Sequence, residues 1–345
     1  MRSVSAPSSR IARAPMVARR GAGVIVLVRR ATWKRGGLVD VTGWQPPQGM
    51  VQAPETATLR SMTNPHFGEI GDVWKHLVLG DLLDRLRPKR YWETHAGSGT
   101  YVLDRSWRRE YGVFTVLREA PRAPAIDASR YVWLVRTLPA GEDEQARYPG
   151  SSRLAMEVLG DTATYLLCDL DPGSVADLTR SSRELDLADL VRVRRADGLA
   201  TVEFEAERLA AQEARSTFVT IDPVDAGERS AEGKDALDVF VDMATAGFPT
   251  ALWHGYDDAG DRETKARGAV QGTPTTSLDI ETEFLRGGTT LNPGVGGCAM
   301  VLANVPPDDV GHAERLGRQL AACYDGVVMP DGSPGSLRFE RVDLG

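Results

Sequence analysis

Apolar residues recur at helical spacing from residue 70 onward. Ile70, Val73, Trp74, Leu77, Val78, Leu82, Leu83 and Leu86 fall mostly three or four apart, and Pro88 ends the run. This pattern predicts an amphipathic helix laid against a core. Residues 91–94 then read as a strand that runs straight into the glycine turn His95-Ala96-Gly97-Ser98-Gly99. The stretch 102–160 lacks a strand rhythm and reads as largely helical, up to the break Tyr148-Pro149-Gly150-Ser151. Beyond it, predicted strands at 165–169, 191–193, 218–221 and 250–254 alternate with predicted helices at 173–185, 201–214 and 234–246. Two late strands near 278–284 and 298–303 and a helix at 309–324 complete the pattern. Alternation of this kind predicts an α/β fold with a doubly wound, mostly parallel, seven-stranded sheet and a helical insertion after the first strand.

Composition changes the picture little. The 345 residues are 42% hydrophobic and 26% charged, values of an ordinary soluble globular chain. No run of 18 apolar residues occurs, so no membrane span is expected. Cys168, Cys298 and Cys323 lie far apart with no CxxC, which predicts a reduced, cytoplasmic setting and three small apolar fillers. The five histidines (His66, His76, His95, His254 and His312) form no HxxxH pair with an acid, so no metal site is expected.

Charge is unevenly spread. Residues 1–61 hold ten Lys/Arg against Asp40 and Glu55, a net +8, and the rest of the chain carries −15. A body this acidic attracts phosphate backbones poorly, so any grip on nucleic acid must be a local patch or the basic segment. That leader has three readings: a start set too far upstream, a basic RNA-binding arm, or a targeting leader. Met62 opens the first patterned segment and favours the first of these. The folded domain is then expected over 62–345, with its insertion at about 102–160.

Four predicted strand ends carry suggestive residues, and open α/β sheets bind ligands beyond the carboxyl ends of their strands. The first runs into Gly97 and Gly99, where glycine lets the backbone approach a ligand. The second ends on Cys168-Asp169-Leu170-Asp171-Pro172, placing an acid that can accept both hydroxyls of a ribose. The third ends on Ala196-Asp197-Gly198, an acid for an adenine amino group beside room for the ring. The fourth ends on Ile221-Asp222-Pro223, an acid at the mouth. Each alone is more often a cap or a turn. All four in order, with no phosphate loop, point to an adenosine-containing cofactor, S-adenosylmethionine (SAM) before a dinucleotide.

These residues resemble a known family. Gly71-Asp72-Val73-Trp74-Lys75-His76 resembles the segment ADVxKH, and Tyr91 to Tyr101 resembles YxDTHAGAGxY. Tyr148-Pro149-Gly150-Ser151 is similar to YPGS, Cys168 to Pro172 to ELHP, Ala196-Asp197-Gly198 to ADG, and Ile221-Asp222-Pro223 to the opening of IDPPYE. The family is the 23S rRNA adenine-N6 methyltransferases of the J type, and the resemblance covers about residues 62–330. It implies a Rossmann-like class I SAM-dependent methyltransferase, with His76, His95, Gly97, Ser151, Asp169, Asp197, Gly198 and Asp222 lining the SAM pocket. It further implies Asp222 as the catalytic acceptor of the adenine amino protons, Lys75 beside the reacting base, 23S rRNA as partner, and a monomer. Without the resemblance, His76 reads as a helix-surface residue and His95 as a turn residue.

One departure bears on the substrate. Family members read Asp-Pro-Pro-Tyr where this chain has Asp222-Pro223-Val224-Asp225, so the aromatic platform for the base is missing. Stacking on such a platform contributes roughly 1–3 kcal/mol. Trp253 or Tyr256 is the nearby aromatic that would replace it. The alternatives to RNA methylation are transfer to another, small-molecule acceptor, and a catalytically silent SAM-binding relative.

Overall fold

The computed structural model describes residues 66–141, 145–227, 229–230, 232–269, 274–282, 296–328 and 337–344; the leader read at 1–61 lies outside them. Ten strands form among the described residues: β1 (Arg90–Glu93), β2 (Thr100–Val102), β3 (Arg147–Pro149), β4 (Thr164–Asp169), β5 (Val191–Arg195), β6 (Thr217–Ile221), β7 (Thr250–Tyr256), β8 (Thr275–Thr282), β9 (Gly297–Ala303) and β10 (Leu337–Leu344). Eight of them make one sheet in the order β10-β8-β9-β7-β6-β1-β4-β5. The run β7-β6-β1-β4-β5 is parallel throughout, and β9, β8 and β10 join it antiparallel.

Burial follows position in the sheet. All five residues of β6 and all seven of β9 are buried, because both faces of an inner strand are covered. The edge strand β5 alternates valine with arginine and is largely exposed. From β1 the chain steps outward to β4 and β5, then returns to β6 on the other side of β1. The strand order reverses there, and the crevice for a ligand opens at the adjacent ends of β1 and β6.

The helix α1 (Ile70–Leu86) precedes β1. It packs against the helices Arg130–Thr137, Ser151–Leu159 and Pro307–Ala322. It is buried nearly all round, Asp72, Lys75 and His76 included, which corrects the amphipathic expectation. A helix can bury charge only where the charge is paired, and the partners are described below. Its end is set by Arg87, in the left-handed region at φ 46°, whose N–H donates to Leu83 O at 3.1 Å.

Between β1 and β4 the chain detours through an inserted segment. It leaves on β2 and returns on β3, which pair antiparallel with Tyr101 opposite Tyr148. The helices Trp107–Arg109, Thr115–Glu119, Pro124–Asp127 and Arg130–Thr137 lie between them. Closure of this ribbon sets Gly150 beside the glycine turn, with its N–H donating to Gly99 O at 2.9 Å.

Three elements differ from the sequence expectation. The sheet has eight strands rather than seven, because β10 pairs with β8 along Leu337 to Leu344. Its alternation is broken by Arg341 and only Leu337 is buried, as suits an edge strand. The helix expected at 201–214 is two, Gly198–Ala206 and Ala211–Arg215. The helix Ala259–Gly268 has no buried residue and hence no apolar stripe to read, and it begins on the cap Asp258.

Trp74 fastens α1 to the sheet. It is fully buried, its indole N–H donates to Leu278 O at 3.2 Å, and its ring meets the edge of Phe339 at 5.8 Å. Trp74→Ala should cost about 3–5 kcal/mol of stability. Urea unfolding would show this as a lower midpoint with an unchanged slope, and an unchanged midpoint would contradict the packing described.

Candidate functional site

Lys75 lies one turn into α1, 5% exposed, and its Nζ is 2.5 Å from Asp222 Oδ2 and 3.3 Å from Asp72 Oδ1. Asp222 immediately follows β6, so the sheet carries its carboxylate to the switch point while α1 brings the ammonium from the other side. Burial works against the charge on Lys75, yet Asp222 and Asp72 together hold its pKa above the usual lysine value. Burial raises Asp222, and the nearby ammonium pulls it back down. The pair is the one place where the helix and strand end meet through charge.

Beside it, the glycine turn and the end of β4 form a second cluster. Asp169 Oδ2 accepts the Gly97 N–H and Oδ1 accepts the Asp171 N–H, both at 2.8 Å. Burial raises the Asp169 pKa. Gly97 has φ +57°, and a Cβ there would stand 2.6 Å from the Tyr101 hydroxyl. At the third strand end, Asp197 Oδ1 caps the helix Gly198–Ala206 by accepting the Ala200 N–H at 3.2 Å. A Cβ on Gly198 would meet Thr94 O at 1.8 Å, so no side chain fits between that helix and β1.

His95 follows Thr94 in this cluster, with its Nδ1 2.7 Å from the Thr94 hydroxyl. Burial lowers its pKa to about 4, against a pull in the other direction from Asp197. Glu93, at the end of β1, is fully buried and neither carboxyl oxygen has a hydrogen-bond partner among the described residues. Burial pushes its acid up to about 8, with Ser151 and Lys75 acting the other way. Burial thus favours its neutral form, which eases its place near the Asp222 carboxylate.

The fold thus brings Lys75 to Asp222, Gly97 to Asp169, and His95, Asp197 and Gly198 to one strand end. Ser151 opens the helix Ser151–Leu159 beneath Glu93. His76 is only 1% exposed, so it is not a helix-surface residue. Its Nδ1 is 2.7 Å from Asp72 O, and its ring lies 5.7 Å from both Tyr131 and Tyr148, facing the inserted segment. It contacts Asp72 and also pulls the Asp222 pKa down electrostatically. Trp253 and Tyr256 are 8% and 2% exposed and packed in the core, Trp253 following Leu252, which pairs with Ile221 just before Asp222. Val224 and Asp225 are exposed beyond Asp222.

Sequence reasoning left out Asp72, Glu93 and Tyr148 as site residues. Asp72 and Tyr148 lay inside recognised motifs, but their pairing spans 76 positions and no local pattern signals it.

A family model described as Ribosomal RNA large subunit methyltransferase D, RlmJ, matches residues 87–321. Over 115 residues the chain is 33% identical to Ribosomal RNA large subunit methyltransferase J of Haemophilus influenzae, which spans 31% of this chain and 41% of that protein. The chain thus matches about two fifths of the length of that curated relative. The crystal structure of protein LPL1258 from Legionella pneumophila is similar over 81% of this chain and 98% of that one, with a TM-score of 0.61 and 21% identity, which shows a shared fold.

Two buried histidines give the molecule a measurable acid response. Burial lowers His254 to about 4, as it does His95. Both are neutral in the fold, so the unfolded chain takes up protons first as pH falls from 6.5 towards 4, and stability drops across that window. Proton NMR of the histidine rings should show both midpoints near 4; midpoints near 6.5 would contradict the burial.

Proposed function

The chain belongs to the RlmJ family of ribosomal RNA large subunit methyltransferases, and from that premise we propose that it transfers methyl from SAM to adenine N6 of 23S rRNA. It does so in the cytoplasm as a monomer, on free RNA or an assembly intermediate. The observation that carries this reading is the Lys75–Asp222 pair at the switch point, 2.5 Å apart and sealed under α1.

The residues present fit SAM. Gly97 and Gly198 are required by packing against Tyr101 and Thr94, and they let the turn and the third strand end close up around Asp169 and Asp197. Each oxygen of Asp169 accepts one backbone N–H, and a carboxylate has about four lone-pair sites, so ribose hydroxyls still find acceptors. His95 and Asp197 would flank the adenine end, and Ser151 and His76 the side towards the inserted segment. When bound, SAM supplies an electrophilic methyl group.

The amino group of adenine is a weak nucleophile because its lone pair is shared with the ring. Asp222 raises its reactivity by accepting an amino proton in a hydrogen bond and later the proton itself. Lys75 occupies Oδ2, which leaves Oδ1 as the acceptor for the incoming amino group. The ammonium also keeps the carboxylate ionised and stationary, so no reorganisation is needed when the base arrives. Pro223 is buried and continues the wall, while Val224, 92% exposed, offers no platform for the base.

RNA would be held locally, since the body is acidic. Arg108 of the inserted segment pairs with the buried Glu69, while Arg105, Arg118 and Arg122 pair at the surface with Glu110 and Glu119. Exposed pairs of this kind contribute at most about 1 kcal/mol and exchange readily for phosphate.

Transfer of labelled methyl to protein-free 23S rRNA, followed by nucleoside digestion, tests the reading. The expected product is N6-methyladenosine, and Asp222→Asn should lower kcat by about 10²–10⁴-fold while SAM affinity changes little. Label in another nucleoside, or full turnover in that variant, would overturn it.

A further inference from the structure

Asp72 is 7% exposed and touches no reacting atom, yet both of its oxygens are engaged. Oδ2 accepts the Tyr148 hydroxyl at 2.6 Å and the Gly68 N–H at 2.8 Å. Oδ1 stands 3.3 Å from Lys75 Nζ and 3.3 Å from His76 Nδ1. The Tyr148 hydroxyl is in turn 3.2 Å from that of Tyr131, in the inserted helix Arg130–Thr137. Tyr131, Tyr148, Asp72, Lys75 and Asp222 therefore form one continuous polar chain from the insertion to the end of β6.

An acid in the first turn of a helix is ordinarily explained by the helix dipole alone. That role needs no partner on β3 and no lysine one turn on. Here the second oxygen faces two nitrogen groups in a buried site, where an uncompensated charge would be costly. Lys75 and His76 draw the Asp72 carboxyl well below the usual range despite its burial.

We propose that Asp72 is a positioning residue for methyl transfer: it fixes the Lys75 ammonium against Asp222 and, through Tyr148 and Tyr131, ties that placement to the seating of the inserted helix. The proposal rests on the reading of Asp222 given above. With Asp72 neutral, Lys75 keeps Asp222 but loses its second carboxylate, and its ammonium is free to swing from the mouth.

The charged and titratable groups around Lys75 are Asp72 on α1, Glu93 of β1, Tyr101 of β2 and Asp222 after β6, while His76 and Tyr148 meet Asp72. Removing the Asp72 charge loosens the Lys75 ammonium and leaves its pair with Asp222, so the effect should fall on kcat and spare the binding of SAM and RNA.

The test compares the full-length wild type with Asp72→Asn and Tyr148→Phe, using labelled SAM, protein-free 23S rRNA and calorimetric SAM binding. Asp72→Asn should lower kcat by about 10- to 100-fold, the cost of a misplaced group, with SAM affinity and the KM for RNA each within about threefold. Tyr148→Phe should lower kcat by about 2- to 10-fold, the effect of one lost hydrogen bond. An unchanged kcat in Asp72→Asn would overturn the proposal. Should that variant fail to fold, wild-type kcat in Tyr148→Phe would overturn it. Should the wild type methylate no RNA, the transfer reading fails on its own, and nitrogen-15 NMR of the Lys75 ammonium at neutral pH then decides. A shifted ammonium resonance with faster proton exchange in Asp72→Asn upholds the clamp, and an identical spectrum removes it.

Discussion

A lysine ammonium that is only 5% exposed must find carboxylates within hydrogen-bond reach, because burying an unpaired charge is prohibitive. Asp222 meets this need at 2.5 Å and Asp72 at 3.3 Å, and the rest of the arrangement follows from them. Asp222 must stand at the end of β6, so α1 has to run across the switch point. That in turn makes α1 the centre of the helical layer, wrapped by the helices Arg130–Thr137, Ser151–Leu159 and Pro307–Ala322. Removing one partner of such a pair would strand the other, so pair and helix position are held jointly.

The same constraint explains why three acids coexist in a small volume. His76 and Lys75 hold the Asp72 carboxyl well below the usual range despite its burial, while burial pushes the Glu93 acid up, to about 8. Charge at the mouth is thus concentrated on Asp222 and its lysine. The inserted segment joins this cluster through Tyr148 and Tyr131, whose hydroxyls lead to Asp72 and so to Lys75.

The parallel half of the sheet was legible because inner strands read as short apolar runs and each ends on an acid or a glycine. Asp169, Asp197 and Asp222 could be placed at the ends of β4, β5 and β6 for that reason. Where apolar periodicity carries little information, the sequence said less. The edge strand β10 buries only Leu337, and the helix Ala259–Gly268 is polar on every side. The character of α1 was misread for the opposite reason, since buried Asp72, Lys75 and His76 look like a solvent face until their partners are known. Those partners lie 76 and 147 positions away, beyond any local rule. The family resemblance supplied Lys75 and Asp222 as site residues, but the bonding between them had to come from the fold.

We propose that Asp222, held by Lys75, receives the amino group of adenine at the mouth of a SAM pocket. The decisive measurement is a crystal structure with a bisubstrate analogue, in which adenosine N6 is linked to the amino-acid arm of SAM. The linked N6 is expected within hydrogen-bond distance of Asp222 Oδ1, with Lys75 still on Oδ2 and the cofactor ribose on Asp169. A ribose bound away from Asp169, or N6 out of reach of Asp222 with the Lys75 pair intact, would contradict it.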